Sequence, residues 1–424
     1  MAKADLLIHS AAQLCVVPPH DGGPQRGHRL GDLGIINDGA VACNDGRIVA
    51  VSSTESVRAD WWASVEIDAS NRVVCPGFVD PHTHVVWAGD RADEFTQRIQ
   101  GATYQEIMAR GGGIMSTVRA TRAASLPQLI SEASVRLDRM LAHGTTTVEV
   151  KTGYGLNVES EAEMLEAISV LELNHTISIV PTFLGAHAIP AEYKNDPDGY
   201  VDLVVEEMLP KICQRPLITR LRTCLFCDVF CDEGAFTLDQ SRRVLEKARE
   251  LGLRLKVHAD EFEPLGGTAL GVELGAVSVD HLVCTPPEEI EQLGQSSTVA
   301  VSLPATPFGL GHQAYTPAKA FLDAGSILAL ATDCNPGTAW CESMPFAIAL
   351  ACRYLHLTPA QALVASTLNA AHALGLGDEV GSLEVGRAAD ILVLSLPTVQ
   401  HLGYRFGTNP VKRVIKGGRE VLTQ

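Results

Sequence analysis

The chain has 424 residues and a formal net charge of −17, and 46% of its residues are hydrophobic. This negative charge argues against a nucleic-acid partner or an anionic membrane partner, because both carry charge of the same sign. No apolar run is long enough to span a bilayer, and the N-terminus lacks a basic-then-apolar signal. We therefore expect a cytoplasmic protein whose scattered cysteines stay reduced.

The first elements in the chain are expected to be β-strands. Residues 5–17 and 40–52 alternate between apolar and polar side chains, and the second segment contains an Asp45-Gly46 hairpin signal. The tail has the same character at 390–396 and 411–422. Neither end is long enough for a robust sheet alone, so we expect both to form one small composite β-sandwich domain.

The middle of the chain alternates between strand and helix patterns. Eight short apolar runs suit fully buried parallel strands, namely residues 73–79, 146–150, 177–183, 224–231, 253–257, 276–279, 299–303 and 327–331. Helical patterns separate these runs, which predicts an α/β fold with a (β/α)8 TIM barrel. The expected domains are 1–74 for the N-terminal part of the β domain, 75–375 for the barrel and 376–424 for the C-terminal part of the β domain.

Two histidines directly follow the first barrel strand. His82 and His84 end the sequence Val-Asp-Pro-His-Thr-His, and residues i and i+2 of an extended chain point to the same side. Later strands lead into His258, His281 and Asp333, and such barrels carry their catalytic groups at the C-terminal ends of strands. Three histidines and one aspartate fit one divalent metal, zinc or iron, with a water in the remaining position.

Hydrolysis at such a metal also needs a base, and Glu261, His281 and Asp333 are the candidates. Lys151 follows the second strand, and a carbamylated lysine there could bridge two metals. Barrel enzymes that use this group usually present it from the fourth strand, which has no lysine here. We therefore favour one metal per subunit.

These residues resemble the amidohydrolase superfamily and, within it, the imidazolonepropionase family of histidine degradation. The likeness covers essentially the whole chain. The superfamily motifs are Pro-Gly-Phe-Val-Asp-Pro-His-Thr-His at 76–84, Thr-Asp at 332–333 and Gly-Ser-Leu-Glu-Val-Gly-Arg-Ala-Ala-Asp at 381–390. The narrower likeness rests on Lys-Thr-Gly-Tyr-Gly at 151–155, Phe-Leu-Gly-Ala-His-Ala-Ile-Pro at 183–190, Asp-Val-Phe-Cys-Asp-Glu-Gly-Ala-Phe at 228–236 and Asp-Cys-Asn-Pro-Gly at 333–337. Thr152 and Cys334 depart from the family's usual residues.

The resemblance implies a homodimer that hydrolyses 4-imidazolone-5-propanoate to N-formimidoyl-L-glutamate. It implies metal ligands at His82, His84, His258 and Asp333, and catalytic groups at Glu261, His281 and Asp333. It implies substrate contacts at Arg91, Tyr104, Tyr154, His187, Glu261, Asn335, Gly337 and Thr338. The chemistry agrees, because the planar fork of an arginine can pair with the propionate through two parallel hydrogen bonds.

Other interpretations stay open. Arg91 could form a surface ion pair with Asp90, Asp93 or Glu94. A deaminase of guanine or cytosine, or another cyclic-amide hydrolase, would share the metal site, although nucleobases lack the carboxylate that Arg91 suits. A non-catalytic scaffold of this fold should have lost a metal ligand or the base, and neither is missing from the sequence.

Overall fold

The fold is described from a computed structural model, for residues 1–102, 111–214 and 225–424. The strands are β1 Ala2–Ala11, β2 Gln13–Leu14, β3 Gly39–Asn44, β4 Arg47–Ser53, β5 Trp61–Asp68, β6 Val73–Pro76, β7 Phe78–Asp80, β8 Thr145–Lys151, β9 Ser178–Ala186, β10 Phe226–Cys231, β11 Arg254–Ala259, β12 Ser278–His281, β13 Val299–Ser302, β14 Ile327–Leu330, β15 Ile391–Leu394, β16 Val411–Lys416 and β17 Arg419–Thr423. The α-helices are Thr54–Asp60, Ala92–Ile99, Ile114–Ala123, Leu126–Ala142, Val158–Asn174, Pro197–Asp202, Leu209–Cys213, Leu238–Glu250, Gly267–Leu274, Pro287–Gln295, Ala305–Leu310, Ala318–Asp323, Met344–Tyr354, Pro359–Ala365, Leu368–Ala373 and His401–Tyr404.

Strands β7 to β14 form one sheet in which neighbours along the chain are neighbours in space. The ladders between them are parallel throughout the described residues, and helices connect the strands. A bridge between Thr83 and Cys334 joins the segments that follow β7 and β14, so the first and last strands meet beside the predicted site. This arrangement confirms the TIM barrel. Residue 224, the predicted start of the fourth strand, lies outside the described residues.

The predicted first strand, 73–79, is in fact two strands of different sheets. Val73–Pro76 pairs antiparallel with β15, whereas Phe78–Asp80 pairs parallel with β8. The chain passes between the sheets at Gly77, where a Cβ would collide with the side chain of Thr146. A continuous apolar run therefore serves two sheets because a glycine allows the close approach between them.

Two further sheets lie outside the barrel. The N-terminal part of the chain forms one, with strand order β4-β3-β1-β5, and both chain ends contribute to the other, β17-β16-β15-β6-β2. The hairpin between β3 and β4 turns at Asp45 and Gly46, with φ angles of 48° and 76°, as the sequence predicts. The facing side chains form one buried apolar cluster that includes Ile8, Val41 and Ile391. This cluster holds the two termini together.

The barrel helices follow from local sequence signals. In the helix Leu238–Glu250, the Thr237 side chain and the Gln240 side chain each bond the backbone of the other, which satisfies free N–H groups at the helix start. Val244, Leu245 and Ala248 lie on its buried face. Among the described residues, no helix is both long enough and apolar enough to cross a membrane.

Candidate active site

Three histidines converge at the C-terminal end of the barrel. His82 and His84 follow β7, and His258 lies near the end of β11. One nitrogen of each ring lies within 4.8 Å of the others, and all three side chains are buried. Oδ1 of Asp333, which follows β14, lies 3.7 Å from His82 Nε2 and 3.6 Å from His84 Nε2. The structure thus brings together the four predicted metal ligands.

The ring nitrogens of this cluster are open to a ligand. Within the described part of the chain, His82 Nε2, His84 Nδ1 and His258 Nε2 are buried without a hydrogen-bond partner. Burial is the main reason that the pKa values of His82 and His84 lie well below the ordinary histidine range, so both rings are neutral. Neutral imidazoles beside a carboxylate are a common donor set for zinc and iron(II), and these residues fit a divalent cation.

Asp80 ties together the two strand ends that carry ligands. Its carboxyl group accepts hydrogen bonds from Thr332 N at 3.1 Å and Thr332 Oγ1 at 2.6 Å. Burial raises the pKa of Asp80 to about 7. These bonds fix the residue before Asp333 against the strand that leads to His82. Asp80 was not among the predicted site residues, although an acidic residue at the end of an apolar strand was a usable signal.

Thr306 orients the carboxyl group of Asp333. Its Oγ1 donates to Asp333 Oδ2 at 2.5 Å, while Oδ1 faces His82 and His84. Burial raises the pKa of Asp333 to about 6. With Oδ2 engaged, Oδ1 is the atom placed to bind a cation beside the histidines. The contact with Thr306 spans 27 residues of sequence and carries no local signal.

Glu261 and His281 form a second buried pair beside the histidines. Glu261 Oε2 lies 3.5 Å from His281 Nδ1, and the His281 ring lies 5.1 Å from the ring of His258. Burial, then the negative charges of Asp333 and Asp232, raise the pKa of Glu261 well above the ordinary glutamate range. A carboxyl group with a raised pKa can accept a proton and return it near neutral pH.

Asp232 holds the segment that carries Glu261. Its carboxylate accepts hydrogen bonds from Glu261 N at 2.8 Å, Phe262 N at 3.0 Å and Glu263 N at 3.0 Å. Asp232 itself is buried, whereas the neighbouring Glu233 is exposed. Asp232 was not among the predicted site residues, although it directly follows the fourth barrel strand.

Tyr154 and His187 line the site next to His84. The His187 ring stacks on the His84 ring at 5.0 Å, and the Tyr154 ring lies 5.3 Å from His187. His187 Nδ1 lies 3.0 Å from Gly153 O, and a carbonyl only accepts, so Nδ1 carries the hydrogen. Burial lowers the pKa of His187 to about 3, so its Nε2 carries a lone pair. Gly153 has a φ of 107° and packs against His187, which explains the glycine before Tyr154.

Arg91 lies at the mouth of the barrel and packs on Gly337. Its Nε pairs with Glu94 Oε2 at 2.8 Å, which is one of the ion pairs that the sequence allowed. The Arg91 side chain is only 15% exposed, and a Cβ at Gly337 would collide with Nη1 of Arg91. The ion pair thus orients the guanidinium group beside the loop that carries the other predicted substrate contacts.

Asn335 organises that loop from within. Its Oδ1 accepts hydrogen bonds from Gly337 N and Thr338 N, both at 2.8 Å, and its Nδ2 donates to Asp333 O at 2.8 Å. These bonds give Asn335 a structural task besides its predicted substrate contact. Tyr104, the other predicted contact, lies outside the described residues.

Lys151 is buried behind the histidines. Its Nζ lies 2.7 Å from Asp228 Oδ2 and 2.8 Å from Glu149 Oε2. Burial lowers the pKa of Lys151, but the nearby carboxylates of Asp228, Glu149 and Asp280 together outweigh it and raise the pKa above the ordinary lysine range. A protonated amine cannot attack carbon dioxide, so these contacts argue against a carbamate that bridges two metals.

Comparisons with known proteins agree with this geometry. Residues 73–421 match the model of the amidohydrolase family. In solved structures, the chain is similar to an adenosine deaminase from Xanthomonas campestris with bound zinc, at 21% identity and a TM-score of 0.69 over 100% of this chain and 94% of that one. It is also similar to Escherichia coli guanine deaminase, at 16% identity and a TM-score of 0.71 over 99% of each chain. At these identities the likeness supports the barrel fold alone.

Relatives in sequence are much more similar. An imidazolonepropionase from Herpetosiphon aurantiacus is 57% identical over 99% of this chain and 98% of its own length. An imidazolonepropionase from Chloroflexus aggregans is 51% identical over the full length of both chains. The one from Symbiobacterium thermophilum is 48% identical over 100% of this chain and 99% of its own. With these relatives and the match to the amidohydrolase model over residues 73–421, the chain belongs to the imidazolonepropionase family of amidohydrolases.

Proposed function

We propose that this chain is a metal-dependent hydrolase that opens the ring C–N bond of 4-imidazolone-5-propanoate to give N-formimidoyl-L-glutamate, the third step of histidine degradation. The observation that carries the proposal is the 57% identity to an imidazolonepropionase over 99% of the chain. A nucleobase deaminase is not favoured, because the two deaminases compared above share only 21% and 16% identity with this chain.

The buried histidines and Asp333 would hold one divalent cation per subunit, zinc or iron. When bound, such a cation lowers the pKa of a water molecule and polarises a carbonyl group. The neutral rings of His82 and His84 and the free Oδ1 of Asp333 support this assignment. Since Asp333 Oδ2 already accepts from Thr306, Asp333 suits a ligand better than a mobile proton acceptor.

Glu261 is the proton carrier in this proposal. It accepts a proton as water adds to the ring carbonyl carbon, and its raised pKa makes the protonated form accessible. The C–N bond of the cyclic amide then breaks. The leaving nitrogen takes the proton from Glu261, and the carbonyl carbon keeps the water oxygen as a carboxylic acid, which releases its remaining proton to solvent and becomes a carboxylate. His281 Nδ1 lies 3.5 Å from Glu261 Oε2. Once Glu261 has taken the proton it can donate to this Nδ1, and the His281 tautomer with its hydrogen on Nε2 then donates to the developing oxyanion.

The remaining groups would bind the substrate. The guanidinium of Arg91 suits the propionate, because a carboxylate accepts two parallel N–H bonds from that fork. Tyr154 can donate its hydroxyl to the same end of the substrate, and His187 Nε2 can accept from a ring N–H. Tyr104, Asn335, Gly337 and Thr338 complete the proposed set.

Three broader assignments belong to the same proposal. The domain division 1–74, 75–375 and 376–424 is supported by the separate sheets of the barrel and the termini, except that its first boundary falls inside β6, whose Cys75 and Pro76 pair in the terminal sheet. The homodimer and the cytoplasmic location rest on the family likeness and on the composition of the chain. Size-exclusion chromatography with light scattering tests the dimer.

The direct test follows the ultraviolet absorbance of freshly generated 4-imidazolone-5-propanoate. Wild type loaded with metal should remove it quickly, whereas chelated wild type and His258→Ala should leave only spontaneous decay. His28→Ala is the matched control, because its side chain is 75% exposed and pairs with Asp323 outside the site. Decay at the spontaneous rate with the metal-loaded enzyme would reject the proposal, and cyclic amides and nucleobases would be tested next.

A further inference from the structure

Five charged side chains are completely buried behind the metal-binding histidines. Four strands of the barrel, β8, β10, β11 and β12, supply them. They are Glu149, Lys151, Asp228, Lys256 and Asp280, and each has 0% exposure. We call these five residues the ionic floor.

The lysines connect the carboxylates of the floor. Lys151 Nζ lies 2.8 Å from Glu149 Oε2, 2.7 Å from Asp228 Oδ2 and 3.8 Å from Asp280 Oδ2. Lys256 Nζ lies 3.4 Å from Glu149 Oε1 and 3.7 Å from Asp280 Oδ2. Lys151 is thus the group that contacts all three carboxylates at once.

Two of these carboxylates reach the metal-binding rings. Asp280 Oδ2 lies 2.7 Å from His82 Nδ1. Asp228 Oδ2 lies 3.0 Å from His258 Nδ1, and Asp228 Oδ1 accepts a hydrogen bond from the backbone N of His258 at 3.1 Å. An ionised carboxylate only accepts, so Nδ1 of each ring carries the hydrogen and Nε2 carries the lone pair.

Stability alone is a poor explanation of this floor. Burying an ion pair costs desolvation energy that the attraction between the charges often fails to recover, and apolar residues of similar volume are often as stable. Here five ionisable groups occupy positions that apolar side chains fill elsewhere in the barrel. Their contacts to two metal-binding rings supply a reason for their presence.

We propose that Lys151 is a positioning residue for the metal site. It holds Asp228 and Asp280 in place, and these carboxylates fix the tautomers of His258 and His82 so that each ring directs Nε2 to the cation. Partners of this kind orient metal ligands and raise their basicity. The inference rests on the metal site of the proposed function, and it is independent of the substrate.

The first test measures the affinity of the full-length apoprotein for zinc, by competition with a chromophoric chelator. Lys151→Met keeps most of the side-chain volume and removes the charge. We expect about 10- to 100-fold weaker binding, the usual effect of losing such a partner. Lys416→Met is the matched control, since Lys416 pairs with Asp390 at 2.6 Å in the terminal sheet, and its zinc affinity should equal that of wild type.

A second readout separates positioning from a general loss of packing. Cobalt bound to the site reports ligand geometry through its visible absorption, and the spectrum should change in Lys151→Met but not in Lys416→Met. The double variant Lys151→Met/Asp228→Asn should bind zinc no more weakly than the weaker of the two single variants. Effects that simply add in the double variant would contradict a route through Asp228.

If Lys151→Met does not fold, two other variants test the proposal. Asp228→Asn and Asp280→Asn keep the shape of each side chain and remove one acceptor for a metal-binding ring. Each should weaken zinc binding and alter the cobalt spectrum. Wild-type zinc affinity together with an unchanged cobalt spectrum in both variants would overturn the proposal, whatever substrate the enzyme uses.

Discussion

The two sides of the metal-binding histidines differ in how their polar groups are paired. Behind the rings, Asp228 and Asp280 contact lysines and histidines at fixed positions in the ionic floor. In front of the rings, Glu261 meets His281 only at 3.5 Å, and His281 Nε2 is buried without a hydrogen-bond partner among the described residues. The side chains of the floor are held in fixed positions by their contacts. The groups in front of the rings, Glu261 and His281, which we call the mouth of the site together with Arg91 and Tyr154, are free to exchange partners with a substrate.

Metal removal should reduce turnover more than any substitution, because the floor orients the ligands of the cation and the groups of the mouth work beside it. Dialysis against a chelator should reduce turnover to the spontaneous background while circular dichroism remains that of a folded barrel. Readdition of zinc or iron(II) should restore turnover. Full activity in a preparation that atomic emission shows to be free of metal would contradict the metal requirement.

Glu261→Gln should cause the next largest loss of turnover, and it should leave the metal site unchanged. Loss of a positioned acid–base group typically lowers kcat by about 10²- to 10⁴-fold. Metal content should stay at the wild-type level, because the substitution leaves the histidines and Asp333 unchanged. Glu263→Gln is the matched control, since Glu263 is an exposed acid two residues away. Equal losses in the two variants would remove Glu261 from the mechanism.

Arg91→Met should weaken substrate capture more than chemistry. A charge-assisted hydrogen bond is worth about 1.5–3 kcal/mol, which corresponds to a rise in KM of about 10- to 100-fold. The increase should be smaller for a substrate analogue without the propionate. Arg58→Met, which removes an exposed arginine paired with Glu66 in the terminal region, should leave KM unchanged. An unchanged KM in Arg91→Met would mean that Arg91 does not bind the substrate and only forms the ion pair with Glu94.

The pH profile should reflect the raised pKa of Glu261. The base must be ionised to accept a proton, and burial with nearby negative charge favours its protonated form. The acidic limb of kcat/KM should therefore lie above the ordinary glutamate pKa of about 4.3, and activity should fall about tenfold per pH unit below it. A profile that stays flat down to about pH 5 would show that Glu261 ionises as an ordinary glutamate.

The front of the site was easier to predict from the sequence than the floor. His82, His84, His258 and Asp333 each follow or end an apolar strand, so barrel topology alone predicts that they meet. Their roles as ligands, like the roles of the other site residues, remain predictions.

The floor residues were harder to identify in the sequence, and apart from Lys151 they were not among the residues considered for the site. Glu149, Lys256 and Asp280 are charged residues inside or at the end of apolar runs, where a buried charge needs a partner. The sequence does not show which charges pair, because their partners lie on other strands. In the same way, the apolar run 73–79 does not show the change of sheet at Gly77, which depends on the approach of Thr146.

The loop that carries Tyr154 allows a test with the smallest expected effect, because it asks whether a fixed part of the mouth acts on the substrate or on the metal site. Glu161 is buried at the start of the helix Val158–Asn174, and it accepts hydrogen bonds from Gly155 N and Leu156 N, both at 2.8 Å. These bonds fix the backbone on the C-terminal side of Tyr154, so Glu161 gives this part of the mouth the fixed support that the lysines give the floor.

Glu161→Gln can keep a carbonyl oxygen at the Oε1 position, but it turns Oε2, which accepts from Gly153 N at 3.2 Å, into a donor and removes the charge that strengthens these bonds, at a cost of about 1 kcal/mol. We expect KM to rise about fivefold, with kcat and zinc affinity unchanged, because only the placement of Tyr154 is disturbed. Glu159→Gln, an exposed acid in the first turn of the same helix, should leave all three quantities at wild-type values. His187 links Gly153 to the His84 ring. A loss of zinc affinity in Glu161→Gln would therefore mean that this loop also supports the metal-binding histidines, and that it belongs with the groups that hold the metal ligands in place.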